Sequence, residues 1–211
     1  MNKMDDSMVI DYIVDSKIEG VLVECGVQGG RIEKIWIDKL KQRNEERDIY
    51  MYDTFTGLTV PSEKDVGINN EYQTAEQVLD IWRQYNSNGV NTWCYAPIEQ
   101  VVYELLQTNY PFHKLHFIKG DVRKTLLDKK NIPDKIAILR LDTDWYDSTK
   151  VELETMWDNL VWGGVLILDD YYYWKGQQDA VNEFFKGTKY ENGVQRFQTQ
   201  GSHIGYLFKN P

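Results

Sequence analysis

Two runs in the second half of the chain, IAILRLDTD at residues 136–144 and GGVLILDD at residues 163–170, are almost wholly apolar and end in carboxylates. A strand with one wet face alternates apolar and polar residues. Runs this uniform belong to strands covered on both sides, the condition of a parallel sheet with helices packed against each face. Parallel neighbours need a long crossover, usually a helix, so the chain must alternate strand and helix.

Asp142 and Asp144 stand where the first run gives out, Asp169 and Asp170 where the second does. In open α/β sheets ligands bind at that edge. Four carboxylates meeting there would repel one another and raise each other's pKa unless a cation joined them. Hard oxygen donors of this kind suit Mg²⁺, Mn²⁺ or Ca²⁺ rather than zinc. A structural reading competes: Asp142, Asp144 and Asp147 shape a turn and cap a helix starting near Ser148, while Asp169 and Asp170 form a solvated pair.

The rest of the chain supplies the alternation. Apolar spacing predicts a helix over 8–18, the strand VLVEC at 21–25, a turn through Gly26 to Gly30, the helix GRIEKIWIDKLKQR and the strand DIYMYD ending at Asp53. A Gly- and Pro-rich stretch, TFTGLTVPSEKDVGINNEYQ, then breaks the pattern, followed by an amphipathic helix around AEQVLDIWRQY and a second loop, NSNGVNTWCYA. A break this long reads as a lid-like insertion over about residues 56–96. Pro97 opens the helix PIEQVVYELLQTN, where its missing amide costs nothing. After it come the strands LHFIKGD and IAILRLD, a helix from about Ser148, the strand VLILDD, a helix near QQDAVNEFF, and strand-like stretches near VQRFQT and IGYLFK. The expectation is one α/β domain over residues 1–211, a doubly wound and mostly parallel sheet with an antiparallel edge at its C-terminal end.

Composition narrows the class. A length of 211 residues suits one well-buried domain. The net charge of -9 and the lack of any Lys/Arg cluster argue against a nucleic-acid partner. Cys25 in a buried strand and Cys94 in a loop allow neither a disulfide framework nor a Cys-rich zinc site, which favours a reducing compartment. The N-terminal segment carries acidic residues where a signal peptide needs positive charge, and no apolar run approaches membrane-spanning length. A soluble, cytoplasmic protein without membrane insertion is expected.

The first strand–turn–helix, VLVECGVQGGRIEK, bears on the cofactor. A dinucleotide fingerprint needs a glycine where Gln28 stands, so that backbone can approach a pyrophosphate. Glu24 would repel that pyrophosphate but welcome a cationic amino-acid end, as in S-adenosylmethionine with its ammonium and sulfonium. Asp53 closes the second strand about 25 residues on, where a carboxylate can accept from both ribose hydroxyls. Asp121, in IKGDV, is placed to meet an adenine amino group. Taken singly, Gly26 to Gly30 would also serve as a tight turn in any α/β protein.

The segments ECGVQGG, DTFTGL with PSEKDV, APIEQV, FIKGDVRKTL, LRLDTDWYDST and GGVLILDDYYYWKG, in order from about Glu24 to Phe185, resemble the macrocin O-methyltransferase family, sugar O-methyltransferases of antibiotic and surface-glycan pathways. The resemblance implies a seven-stranded, Rossmann-like class I methyltransferase fold, S-adenosylmethionine as donor and a Mg²⁺ (or Mn²⁺) that grips the acceptor sugar. It assigns Asp142, Asp169 and Asp170 as metal ligands and Asp144, the second acid of LD-x-D, as general base. Cofactor contacts would fall to Glu24, Gly26, Gly29, Asp53, Thr54, Phe55, Gly120, Asp121 and Val122. Trp145, Tyr146, Tyr171, Tyr173 and Trp174 flank the acidic clusters, where flat faces suit the apolar side of a deoxysugar or else simply pack in the core. The aromatic run Tyr171 to Trp174 departs from the small or His-like residue usual there.

The implied reaction is methyl transfer to a hydroxyl of a (deoxy)sugar, such as a rhamnose-type residue of a glycan or glycosylated natural product. A catechol-type O-methyltransferase, a nicotinamide oxidoreductase and a glycan-binding module with a vestigial site are the alternatives; Gln28 and Glu24 speak against the oxidoreductase. A homodimer is compatible with the sequence, as is a place within a larger glycan-assembly enzyme. His113, His116 and His203 read as structural, and Trp36, Trp157 and Trp162 as core.

Overall fold

The computed structural model describes residues 5–197 and 202–211. In chain order the elements are α1 (Asp6–Asp15), β1 (Val21–Cys25), α2 (Arg31–Gln42), β2 (Ile49–Asp53), α3 (Ala75–Tyr85), a short hairpin of β3 (Asn86–Ser87) and β4 (Val90–Asn91), α4 (Ile98–Leu106), β5 (Leu115–Lys119), α5 (Val122–Thr125), β6 (Ile136–Leu141), α6 (Tyr146–Met156), β7 (Leu160–Leu168), α7 (Lys175–Phe185), β8 (Gln195–Arg196) and β9 (Gly205–Phe208). The main sheet has seven strands in the order β5-β2-β1-β6-β7-β9-β8. Strands β5 to β7 in that order run parallel, and β9 pairs antiparallel with both β7 and β8. The doubly wound sheet and its antiparallel edge are as the pattern predicted.

Both faces are covered, which explains the uniform apolar runs. All six residues of β6 are buried. Alternate residues feed two cores: Leu22, Ile138, Val165 and Ile167 pack with α1, α2 and α4, whereas Val23, Leu139, Leu166 and Leu168 pack with α6 and α7. From the adjacent central strands β1 and β6 the chain winds outward in opposite directions. Their carboxyl ends therefore form a crevice at the switch point, the usual ligand site of such sheets.

Some boundaries differ from expectation. Asp5 caps α1 by accepting from the amides of Ser7 and Met8, and the helix stops at Asp15 rather than continuing to residue 18. Strand β7 begins at Leu160, because pairing with Ile136 continues upstream of the Gly163–Gly164 pair that hid it. Trp162 in that extension is 57% exposed, so it is not a core residue; Trp36 and Trp157 are buried. Of VQRFQT only Gln195 and Arg196 lie in a strand, and residues 198–199 lie outside the described residues.

The insertion forms a layer over the carboxyl edge of the sheet. A capping box between Thr74 and Gln77 starts α3. Beneath it Val78, Trp145 and Trp174 make a small core with Leu58, Tyr72, Trp93 and Tyr173. Gly57 lets the loop pass against the hairpin, since a Cβ there would lie 1.6 Å from the Asn91 carbonyl oxygen. Asp65, wholly buried, ties the layer down: its carboxylate accepts from the Tyr146 amide at 2.8 Å and from the amide and hydroxyl of Ser62. Backbone bonds from Lys175 to Val66 and from Ile68 to Tyr173 add to this. Asp65→Ala leaves the Tyr146 amide without its acceptor, and a buried donor left so is costly. Hydrogen exchange and protease cleavage over residues 57–74 should accelerate while β1 and β6 stay protected. Unchanged exchange in that segment would show that Asp65 is not its anchor.

Candidate active site

The crevice is built by backbone pairing that runs on past the strand ends. The Asp142 amide donates to Cys25 at 2.7 Å, the Asp169 amide to Leu141 at 3.0 Å, and the Gly120 amide to Asp53 at 2.8 Å. Gly26, with φ at +89°, lies so close to the end of β6 that a Cβ would sit 1.8 Å from the Asp142 carbonyl oxygen. No other residue fits there. Gln177, fully buried, links the two acidic strand ends: its Oε1 accepts from the Asp170 amide at 3.0 Å, and its Nε2 donates to the Leu141 carbonyl.

The crevice brings together Asp142, Asp144, Asp169 and Asp170 with Gly26, Asp53, Thr54, Gly120, Asp121 and Val122. Asp142, Asp169 and Asp170 can each present one oxygen such that all lie within 4.8 Å of one another. Three convergent carboxylates, a group that among the described residues includes no nitrogen or sulfur donor, fit a hard divalent cation. Burial raises all of them, Asp169 to about 6 and Asp170 further still, the latter also pressed by Asp144, Asp169 and Asp142. Capping does not account for them: the residue before α6 is Trp145, which makes no side-chain cap bond, and the first amide of the helix, that of Tyr146, is taken by Asp65.

Asp144 is not one of this trio but touches it, its carboxyl facing that of Asp170. Its backbone is left-handed, φ +65°, and the indole Nε1 of Trp174 donates to its Oδ1 at 2.9 Å. Burial pushes its carboxyl up to about 6, against hydrogen bonding that favours the charged form. Trp174 thus orients one oxygen, and the carboxyl also meets that of Asp170.

The expected cofactor positions fall partly on the crevice wall and partly off it. Glu24 is 1% exposed and does not line the crevice; its Oε1 accepts from Arg140 Nη1 at 2.8 Å in the interior. Phe55 is buried in the core and Gly29 also lies off the crevice wall. Asp53 lines the wall, but its carboxylate is engaged by the amides of Val27, Gln28 and Phe55, so it shapes the turn beside the crevice. Asp121 caps α5 and pairs with Arg123, which, against the upward pull of burial, holds its carboxyl below the usual range.

The aromatic residues form no open shelf: Trp145, Tyr146, Tyr171 and Trp174 are buried, and half-buried Tyr173 packs on Trp174 and His203. Trp145, Tyr173 and Trp174 pack in the small core beneath the insertion, Tyr171 packs in the core against α6 and α7, and Trp174 reaches the acids through Asp144. His116 pairs with Asp48 at 2.7 Å and stacks on Tyr50, a structural role as expected.

Two further groups escaped the sequence reading. Arg140, 0% exposed, pairs with Asp6, Glu24, Asp142 and Asp169. The signal was in view, as the lone charge in IAILRL. Arg31 lines the crevice at the start of α2, a cation among carboxylates; nothing in its sequence context marked it.

The fold, the glycine turn and the acidic strand ends together define a class I methyltransferase-like architecture. The macrocin-O-methyltransferase (TylF) profile matches residues 1–204, and the chain belongs to that family. It is 27% identical over 176 residues to the 8-demethyl-8-(2,3-dimethoxy-alpha-L-rhamnosyl)-tetracenomycin-C 4'-O-methyltransferase of Streptomyces olivaceus, covering 83% of this chain and 61% of the relative. To the demethyldecarbamoylnovobiocin O-methyltransferase of Streptomyces niveus it is 25% identical over 177 residues, covering 83% and 62%. The chain thus spans about three fifths of the length of these relatives. Among solved structures the O-methyltransferase NovP matches with a TM-score of 0.77 over 98% of this chain and 78% of that one, at 20% identity, a likeness of fold.

Behind the acids, Glu152 of α6 is fully buried; its Oε1 accepts from the Thr143 hydroxyl at 2.9 Å and its Oε2 has no partner. Burial pushes its carboxyl up to about 8. An unfolded Glu titrates near ~4.3, so the folded chain retains a proton that the unfolded chain releases. The stabilisation this gives is complete below that unfolded value and is lost as pH rises toward 8, by at most ~1.4 kcal/mol per pH unit. Glu152→Gln should therefore flatten the fall in Tm between about pH 5 and 8. Parallel curves for variant and wild type would mean that Glu152 is ionised in the folded state.

Proposed function

We propose that the chain is an S-adenosylmethionine-dependent O-methyltransferase acting on a hydroxyl of a (deoxy)sugar, with a Mg²⁺ or Mn²⁺ ion held by Asp142, Asp169 and Asp170. The observation that carries this reading is a separately oriented carboxylate, Asp144, beside three convergent ones in a single crevice next to the glycine turn. The family, and the rhamnosyl substrate in the name of the Streptomyces olivaceus relative, support it.

An alcohol is a poor nucleophile and must lose its proton near the transition state. Asp144 is suited to take it: Trp174 fixes one oxygen, and burial raises the basicity of the carboxylate toward neutral pH. Asp142, Asp169 and Asp170 would hold the cation, which would supply Lewis-acid polarisation of the acceptor hydroxyl. S-adenosylmethionine, when bound, supplies the electrophilic methyl carbon, and the acidic crevice favours its cationic end. Gly26 gives close access to the backbone at the β1 turn, and Leu58 and Thr59 of the insertion wall the crevice from above, limiting water. In this reading the insertion over about 56–96 is the acceptor-facing lid.

Incubation with S-adenosylmethionine, Mg²⁺ and a panel of deoxysugars and catechols should give a product one methylene heavier from a sugar. A chelator should stop turnover while calorimetric cofactor binding persists. Methylation of catechols alone would favour a phenolic acceptor, and absence of heat with S-adenosylmethionine would end the methyltransferase reading. Asp144→Asn should lose about 10²–10⁴-fold in turnover, the usual worth of a general base, with cofactor and Mn²⁺ binding retained. Near-normal turnover of that variant at neutral pH would remove Asp144 from the role.

A further inference from the structure

We infer that Arg140 is the positioning residue of the cation site proposed above: its guanidinium holds Asp142 and Asp169 side by side and leaves each a free oxygen for the ion. Arg140 sits in the central strand with no exposed surface. A guanidinium in such a place is unfavourable unless each donor is matched. Its planar fork is shared among distinct partners. Nη1 donates to Glu24 Oε1 at 2.8 Å and to Asp142 Oδ2, Nη2 donates to Asp169 Oδ1, and Nε faces Asp6 Oδ1 at 3.4 Å.

Glu24 and Asp6 are the rear anchors. Glu24 is as buried as Arg140 itself, and its carboxyl otherwise faces that of the buried Glu33, a second acid rather than a donor cation. Asp142 and Asp169 are the front pair, about a quarter exposed, and each commits one oxygen to Arg140. Mutual repulsion would splay these two acids in the absence of an ion; the cation between and behind them offsets it. Asp170 is held differently, through its backbone by Gln177. The ligand set is therefore assembled in advance by one arginine and one glutamine. Lysine cannot substitute, because a compact ammonium does not span partners that a rigid fork addresses in several directions.

The test is Mn²⁺ binding, read by electron paramagnetic resonance and calorimetry on wild type, Asp170→Asn and Arg140→Lys, with S-adenosylhomocysteine affinity and circular dichroism measured alongside. Wild type should bind Mn²⁺ and Asp170→Asn should not. Arg140→Lys, folded and with unchanged S-adenosylhomocysteine affinity, should bind Mn²⁺ about 10–100-fold more weakly, the usual effect of losing a partner behind a metal ligand. Wild-type affinity in Arg140→Lys, with Asp170→Asn defective, overturns the role of Arg140 and leaves the cation site standing. Absence of Mn²⁺ binding in wild type, or its survival in Asp170→Asn, removes the site and the inference together. Should Arg140→Lys fail to fold, hydrogen exchange of wild type decides: a site assembled in advance gives equal protection of segments 140–144 and 167–171 with and without Mg²⁺, and strong Mg²⁺-induced protection there overturns the inference.

Discussion

Parallel pairing of β1, β6 and β7 that continues past the ends of the strands is the constraint on which the rest depends. The amide of Asp142 on Cys25 and that of Asp169 on Leu141 hold the acids in register with each other. Tight approach at Gly26 makes that register possible. A side chain in a loop can drift; a side chain one residue beyond a paired strand cannot. Such placement on rigid elements is what convergent catalytic groups require.

The same crevice runs against the stability of the fold. Burial raises Asp142, Asp144, Asp169 and Asp170 together, and Glu152 behind them. A core built for stability alone would not gather so many acids. Arg140 and Gln177 offset part of the cost, one by charge and one by satisfying backbone groups between strand ends. Such groups are concentrated where ionisable residues are tuned for chemistry rather than for folding.

The insertion completes the site by packing rather than by contributing acids to the trio. Its small core includes Trp145 and Trp174, the residues that flank Asp144 and Asp170 in the sequence. Trp174 therefore links the insertion to Asp144, since its ring packs under the insertion while its Nε1 reaches that carboxylate. Asp65 ties the start of α6 to the same layer. The insertion and Asp144 thus share one packed support.

Local pattern was enough for the fold class and for the acids. Apolar runs without alternation report burial on both faces, and carboxylates at their ends report the functional edge, because both follow from backbone geometry along a single strand. What lay beyond reach was direction and partnership. Glu24 adjoins a glycine turn, yet its side chain turns inward to Arg140, a residue 116 positions away. The aromatic run could equally have faced a sugar or the core; Tyr171 and Tyr172 went to the core against α6 and α7, Tyr173 and Trp174 to the small core under the insertion. Arg140 stood in plain view as the one charge of an apolar strand, but its partners come from α1, β1 and the ends of β6 and β7. Alternation and the acidic edge are local properties and can be read along the chain; which way each side chain faces and what it meets emerges only in the folded molecule, because those depend on contacts between segments far apart in the chain.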